Sequence, residues 1–194
     1  GRLVAGATGL PFYPLPHDSG ADLAKYNPMI RSLHSPYSDE IVTTVPPLRP
    51  DVAFIHAQRA DSTGNVQLWG IVGDIREAAF AARRVVASVE ELVDTEIVRR
   101  DPNRTIIPSF LVDAVVVEPW GAHPSYVQGY YDRDNGAYRE WAEVSRDPGR
   151  VEEHLARHVY GVRDRREYVE LVGDHTRSLT VGTRLSEPVN YGTA

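Results

Sequence analysis

Cysteine is absent from the 194 residues. Disulfides and thiolate metal sites are therefore excluded, and no secreted disulfide scaffold is implied. Lysine is almost absent: among the 21 basic side chains Lys25 is the only one that is not arginine. No apolar run approaches the roughly 18 residues of a membrane helix, and the best stretch, Leu111 to Val117, is broken by Asp113. No basic stretch leads into an apolar segment of the secretory type, so a cytoplasmic location is expected. An excess of positive charge is also missing. The formal net charge is -6, which argues against a nucleic-acid platform. Three chemical signatures are absent as well: Gly-x-Gly-x-x-Gly for dinucleotides, His-Glu-x-x-His for zinc, and Gly-x-Ser-x-Gly for a serine nucleophile.

What remains is ordinary globular composition, 42% hydrophobic and 25% charged, enough for one domain with a real core. The chain opens on Gly1 rather than Met and reads as a piece of a larger subunit. Leu3 to Ala7 reads as the tail of a helix with Gly9 as its C-cap. Leu10 to Leu15 is extended, held by Pro11, Pro14 and Pro16. Gly20 to Tyr26 reads as a helical turn with Asp18 or Ser19 as cap. Ile30 to Tyr37 and Glu40 to Val45 read as strands. Asp51 to Ala60 is the clearest strand. Its run Val52-Ala-Phe-Ile55 is what a strand covered on both faces shows. The turn signal Asp61-Ser-Thr-Gly-Asn65 and a return over Val66 to Trp69 complete a hairpin.

The spacing then predicts a helix over Asp74 to Arg84 with an Asp74/Glu77 capping box. Strands follow over Val85 to Val89 and Ala114 to Val117, the latter buried. Amphipathic helices are expected over Tyr138 to Val144, Arg150 to Val159 and Arg165 to Val172. Strands alternating with helices and ending in a helical stretch give an α/β class: an open, mostly parallel but mixed sheet flanked by helices. The expected division is a core over 1–119 and a helical C-terminal extension over 120–194.

Several residues could carry chemistry. His154 and His158 stand at i and i+4 and could share a metal, but the surrounding residues read as a solvated helix face, and no metal is expected. Glu90 and Glu91 fall where α/β sheets place ligand groups; equally, they could cap a loop or meet an arginine. Alternation along the strand puts His56 and Gln58 on one face and Arg59 on the other. The polar pair is either a satisfied core hydrogen bond or a pocket wall. Trp120, Tyr126, Tyr130, Tyr131 and Trp141 make an aromatic stretch of interface or core type.

Taken in order, several strings resemble one family. They are Gly6-Ala-Thr-Gly-Leu-Pro-Phe12, Asn27-Pro28, Ser35-Pro-Tyr37, His56-Ala-Gln-Arg-Ala-Asp61 with Gly64-Asn65 and Trp69-Gly70, Val89-Glu-Glu-Leu-Val93, Pro108 with Val112-Asp-Ala-Val115, and Gly121-Ala-His-Pro-Ser-Tyr126. The chain is similar over about 1–140 to the A (alpha) subunit of class I CoA-transferases of the glutaconate type. The resemblance implies an open α/β fold packed against a B (beta) subunit. A Glu of that partner would attack an acyl-CoA thioester, and CoA would be a substrate with no separate cofactor. Related hydrolase A subunits of actinobacterial steroid-ring catabolism share the fold, with their key Glu upstream of the segment matching Gly1. No Glu-x-Gly nucleophile string occurs here, so the catalytic Glu is expected outside this chain. The expected wall facing the acyl group is Gly6, Gly9, Phe12, His56 and Gln58. Gly9 as a mere helix end and Phe12 as core is the competing reading of that segment. A non-catalytic small-molecule-binding module of the same broad fold is the other alternative.

Overall fold

Residues 1–15 and 22–181 are described by a computed structural model. Pro16, Asp18 and Ser19, expected to stiffen or cap the early chain, lie outside them. Helix α1 (Arg2–Thr8) ends at Gly9, which is left-handed (φ 73°) and donates to the Ala5 and Gly6 carbonyls. Then come β1 (Tyr13–Leu15), the short α2 (Leu23–Tyr26), β2 (Arg31–His34) and β3 (Ile41–Val45). The three strands form a small antiparallel sheet of order β1-β3-β2, separate from the main one. The link between β2 and β3 is too short for a crossover, so the two can only fold back on each other.

The main sheet holds β4 (Ala53–Asp61), β5 (Val66–Gln67), β6 (Val85–Val93), β7 (Thr105–Ile107) and β8 (Ala114–Val117) in the order β7-β5-β4-β6-β8. β4, β6 and β8 are parallel; β5 and β7 are antiparallel additions at one side. The β4–β5 turn forms because Asp61 folds its carboxylate over it, accepting from the backbone and side chains of Thr63 and Asn65. Helix α3 (Ile75–Ala81) makes the crossover into β6, and α1 packs on it. Ile55, Ala57, Val85, Ala87 and Val89 form one sheet face and pack with Val66, Leu68, Ala79 and Ile107 into the core.

Three expectations need correction, and one element goes beyond them. Asp74 occupies the N-cap of α3 but makes no capping hydrogen bond, so the capping box is not formed. β4 is covered on both faces only toward its carboxyl end: Phe54 is 81% exposed, whereas Gln58 and Ala60 on the same face are buried. β8 is not buried: it is the outer strand, with Val116 and Val117 about half exposed. A helix that the periodicity did not show, α4 (Thr95–Arg100), follows β6. It starts where Asp94 caps the Glu96 N–H and ends on Arg99 and Arg100, which suit the negative end of a helix dipole.

Beyond β8 the chain crosses the sheet near the carboxyl ends of β4 and β6 as an arm over residues 118–134. Helices α5 (Asn135–Val144), α6 (Pro148–Leu155), α7 (Arg165–Val172) and α8 (Asp174–Leu179) follow. Asp134, Asp147 and Asp164 cap the first three through side-chain bonds to backbone N–H groups. The helix expected up to Val159 is α6 plus a π-helical turn, Ala156–Tyr160.

Candidate functional site

Parallel register sets His56 of β4 beside Ser88 of β6, and alternation brings Glu90 onto the same face. The arm closes over them. His56 Nε2 lies 2.6 Å from Glu90 Oε1, and its Nδ1 lies 2.9 Å from Ser88 Oγ. The Tyr131 hydroxyl donates to Glu90 Oε1 at 2.8 Å and accepts from the Ala122 N–H at 3.0 Å. The Trp120 N–H donates to Glu90 Oε2 at 2.8 Å. The Glu90 side chain is only 4% exposed, and these three donors are what make a buried carboxylate tolerable.

The network has a definite chemistry. A carboxylate can only accept, so the His56 tautomer that fits carries its proton on Nε2. Nδ1 then either accepts from the Ser88 hydroxyl or, in the imidazolium, donates to it. Ser88 can alternatively donate to the Ile55 carbonyl at 3.3 Å. Burial, reinforced by the neighbouring Glu90 carboxylate, pushes the Tyr131 phenol above its ordinary range, so it remains a donor. Trp120 carries a positive φ of 64°, unusual for a non-glycine residue. The conformation is held by its bond to Glu90, by its ring stacked on Tyr131 at 4.1 Å, and by Arg165 donating to its carbonyl.

Beside His56 lies a cavity of about 330 Å³, walled by Gln58, Leu68, Trp69, Ile71, Val127 and Gln128 among others. The Gln58 amide is committed: it donates to the Trp69 and Gln128 carbonyls and accepts from the Trp69 N–H. His56 and Gln58 therefore share one cavity, and both have satisfied polar groups. Gly6, Gly9 and Phe12 do not line it. A side chain at Gly6 would collide with the Leu48 carbonyl, so close packing alone demands glycine there. Gly9 ends α1, and Phe12 is 40% exposed.

Glu90 and Glu91 lie inside β6 rather than after it, and neither caps a loop. Glu90 meets His56, Tyr131 and Trp120, while Glu91 accepts from the Tyr130 hydroxyl at 2.6 Å. Two tyrosines of the aromatic stretch, Tyr130 and Tyr131, are thus polar partners of the two carboxylates. Ser88, Trp120 and Tyr131 were not legible as site residues, because their roles depend on register and on the path of the arm. The doublets Glu90-Glu91 and Tyr130-Tyr131 are the one signal that could have suggested pairing.

A second cavity, of about 800 Å³, lies among the C-terminal helices. At its floor His123 joins Tyr168 (3.0 Å) and Asp134 (3.2 Å). His154 and His158 line it with their rings 4.2 Å apart, half-buried rather than on a solvated face. Burial, with His158 adding to it, lowers the His154 pKa. Among the described residues no group of three or more His, Asp, Glu or Cys is arranged to hold a metal ion.

Comparison with known proteins bears on all of this. The family described as coenzyme A transferase matches residues 1–118. The chain is 44% identical over 165 residues, 85% of its length, to the A subunit of 3-oxoadipate CoA-transferase from Pseudomonas knackmussii. It is 33% identical over 172 residues, 84% of its length, to the cholesterol ring-cleaving hydrolase IpdA subunit of Rhodococcus jostii. The glutaconate coenzyme A-transferase structure from Acidaminococcus fermentans superposes on 95% of the chain with a TM-score of 0.87 at 31% identity. The chain spans 58% of the length of each of the two curated relatives and 65% of the solved chain.

Proposed function

This chain belongs to the coenzyme A transferase family, and we propose that it forms part of the A subunit of an enzyme moving CoA from an acyl-CoA to a carboxylic acid. The likeness to a transferase A subunit over 85% of the chain carries this reading. The site's chemistry supports it. Glu90 is the carboxylate closest to the 330 Å³ cavity's His56, and three donors quench its lone pairs, which suits a positioning group and not a nucleophile. The attacking Glu then comes from a B subunit. It displaces CoA thiolate from the thioester to form an acyl-glutamyl anhydride. The thiolate attacks the glutamyl carbonyl, releasing the acyl group as a carboxylate and leaving a glutamyl-CoA thioester. The acceptor carboxylate reverses the two steps, so the thioester is conserved and no cofactor beyond CoA is needed.

In this scheme the chain supplies the wall against which the acyl group rests, with apolar Leu68, Ile71 and Val127 keeping water from the intermediate. The open side of the sheet supports a covering partner. Phe54 and Val116, which share that face, would be costly to leave in water. No described helix is long and apolar enough to cross a membrane, and the cytoplasm, where CoA esters are handled, is the proposed location.

The hydrolase of the second relative is the alternative. It would require a base able to take a proton from water. Both ring nitrogens of His56 are engaged, and His123 is buried between Tyr168 and Asp134, which favours the transferase. The test is the assembled two-subunit enzyme with an acyl-CoA, with and without a carboxylate acceptor. Acceptor-dependent exchange with a glutamyl-CoA adduct trapped on the B subunit is expected. Turnover independent of any acceptor would overturn the proposal.

A further inference from the structure

On the face of β4 opposite His56, two guanidinium groups flank one indole. The central carbon of Arg104 lies 4.5 Å from the Trp69 ring centroid and that of Arg59 lies 5.4 Å from it. Both are tethered by Nε alone. Arg59 Nε donates to Gln67 Oε1 at 2.8 Å. The fully buried Gln67 is itself locked by Nε2 bonds to the Val98 and Asp101 carbonyls and the Thr105 hydroxyl. Arg104 Nε meets Asp101 Oδ2 at 2.8 Å.

Each tether fixes a planar fork and leaves its Nη groups to be used elsewhere. Among the described residues, Arg104 Nη1 and the Trp69 indole N–H are both buried with no hydrogen-bond partner. Arg59 has no carboxylate within ion-pair distance among the described residues, and Glu91, opposite it on β6, is taken by the Tyr130 hydroxyl. A half-buried cluster holding donors without acceptors is costly unless a ligand supplies the acceptor. Rigid guanidinium forks match carboxylate and phosphate oxygens.

We propose that Arg59, Arg104 and the Trp69 indole N–H form a binding site for an oxyanion, the carboxylate or phosphate group of a ligand. Trp69 also lines the 330 Å³ cavity, so an anion here lies next to the space assigned above to the acyl group. The proposal goes beyond the CoA-transfer reading and stands without it, since it needs an anionic ligand and not turnover.

The test is a titration of the ¹⁵N-labelled intact protein, following the indole N–H resonances, with the Trp69 signal assigned through Trp69→Phe. Adipate probes a carboxylate source, adenosine 3′,5′-bisphosphate a phosphate source, and adipamide is the uncharged control. A saturable shift of the Trp69 resonance with one anion and none with adipamide is expected, and the responding anion names the source. Arg59→Gln and Arg104→Gln should each weaken that binding about tenfold, as the loss of a charge-assisted hydrogen bond does. No saturable shift with either anion would overturn the site, as would an equal shift with adipamide or full affinity in a folded double Arg→Gln variant. Should the arginine variants fail to fold, the wild-type titrations against adipamide still decide. Loss of transferase activity with anion binding intact would count against the CoA-transfer reading alone.

Discussion

Replacing Tyr131 with Phe isolates the hydroxyl that ties the arm to the sheet. Phe keeps the ring stacked on Trp120 at 4.1 Å, so packing changes little. Two bonds are lost: the donation to Glu90 Oε1 and the acceptance from the Ala122 N–H. The first is made to a charged acceptor and is worth about 1.5–3 kcal/mol; the second leaves a backbone N–H unpaired at about 1–3 kcal/mol. Glu90 retains His56 and Trp120 as donors, so its charge stays compensated and the total belongs near the low end, about 3 kcal/mol. Urea unfolding should show that loss in the midpoint. Thermal melting should fall by about 2–4 °C per kcal/mol for a chain of this size. A double-mutant cycle with Glu90→Gln should return a coupling of about 1 kcal/mol or more, since the residues touch. The raised phenol pKa sets a further sign. Above pH ~10 the unfolded chain loses this proton while the folded one keeps it, so stability falls as pH rises, and Phe removes that fall. A destabilisation below about 0.5 kcal/mol with no coupling would refute the reasoning, because it would mean that Glu90 is satisfied without Tyr131.

Other substitutions probe other links. Burial acts to raise the Asp61 pKa, but bonds from Asn65 and Thr63 hold it below its ordinary value. Its stabilisation is therefore complete above pH ~4 and lost as pH falls further, and Asp61→Asn should cost about 1–3 kcal/mol at neutral pH and flatten the acid limb of a stability–pH curve. Phe54→Asp, at a position 81% exposed, should leave the stability of the free chain within about 0.5 kcal/mol. Sedimentation should nonetheless show loss of association with the B subunit; unchanged assembly would remove Phe54 from the interface. Phe12→Ala in the complete enzyme should change acyl selectivity if the Gly6 to Phe12 segment faces substrate. Reduced stability with unchanged preference would assign Phe12 to packing.

The parallel core was legible because its signals are local. The Val-rich strands, the Asp61 to Asn65 turn and the Gly9 stop each carry their physics within a few residues. The exposure of β8 was not, since Ala-Val-Val-Val reads the same in a covered strand and in an outer one, and only strand order separates them. His56 and Gln58 were readable as a polar pair on an apolar strand. Their neighbour Ser88 was hidden because it lies 32 residues away and meets His56 only through the β4–β6 register. The acidic pair at 90 and 91 was visible, but its tyrosine partners come from an arm whose path no periodicity encodes. Trp69 with Arg59 and Arg104 was hidden for the same reason, as it is assembled by a hairpin and a loop.

The paired contacts of that arm bear on how such chains can be recombined. Glu90 points to one side of β6 and binds Tyr131, while Glu91 points to the other and binds Tyr130. Two successive residues of the arm thus clasp the strand from both faces. The family match stops at residue 118, an inviting place to splice the helical end of one relative onto the sheet of another. A graft made there would separate each carboxylate from its hydroxyl, leaving two acids to find new donors at a half-built surface. A junction placed after residue 131 would carry the clasp intact, so the unit that can be exchanged begins some way downstream of where the family match ends.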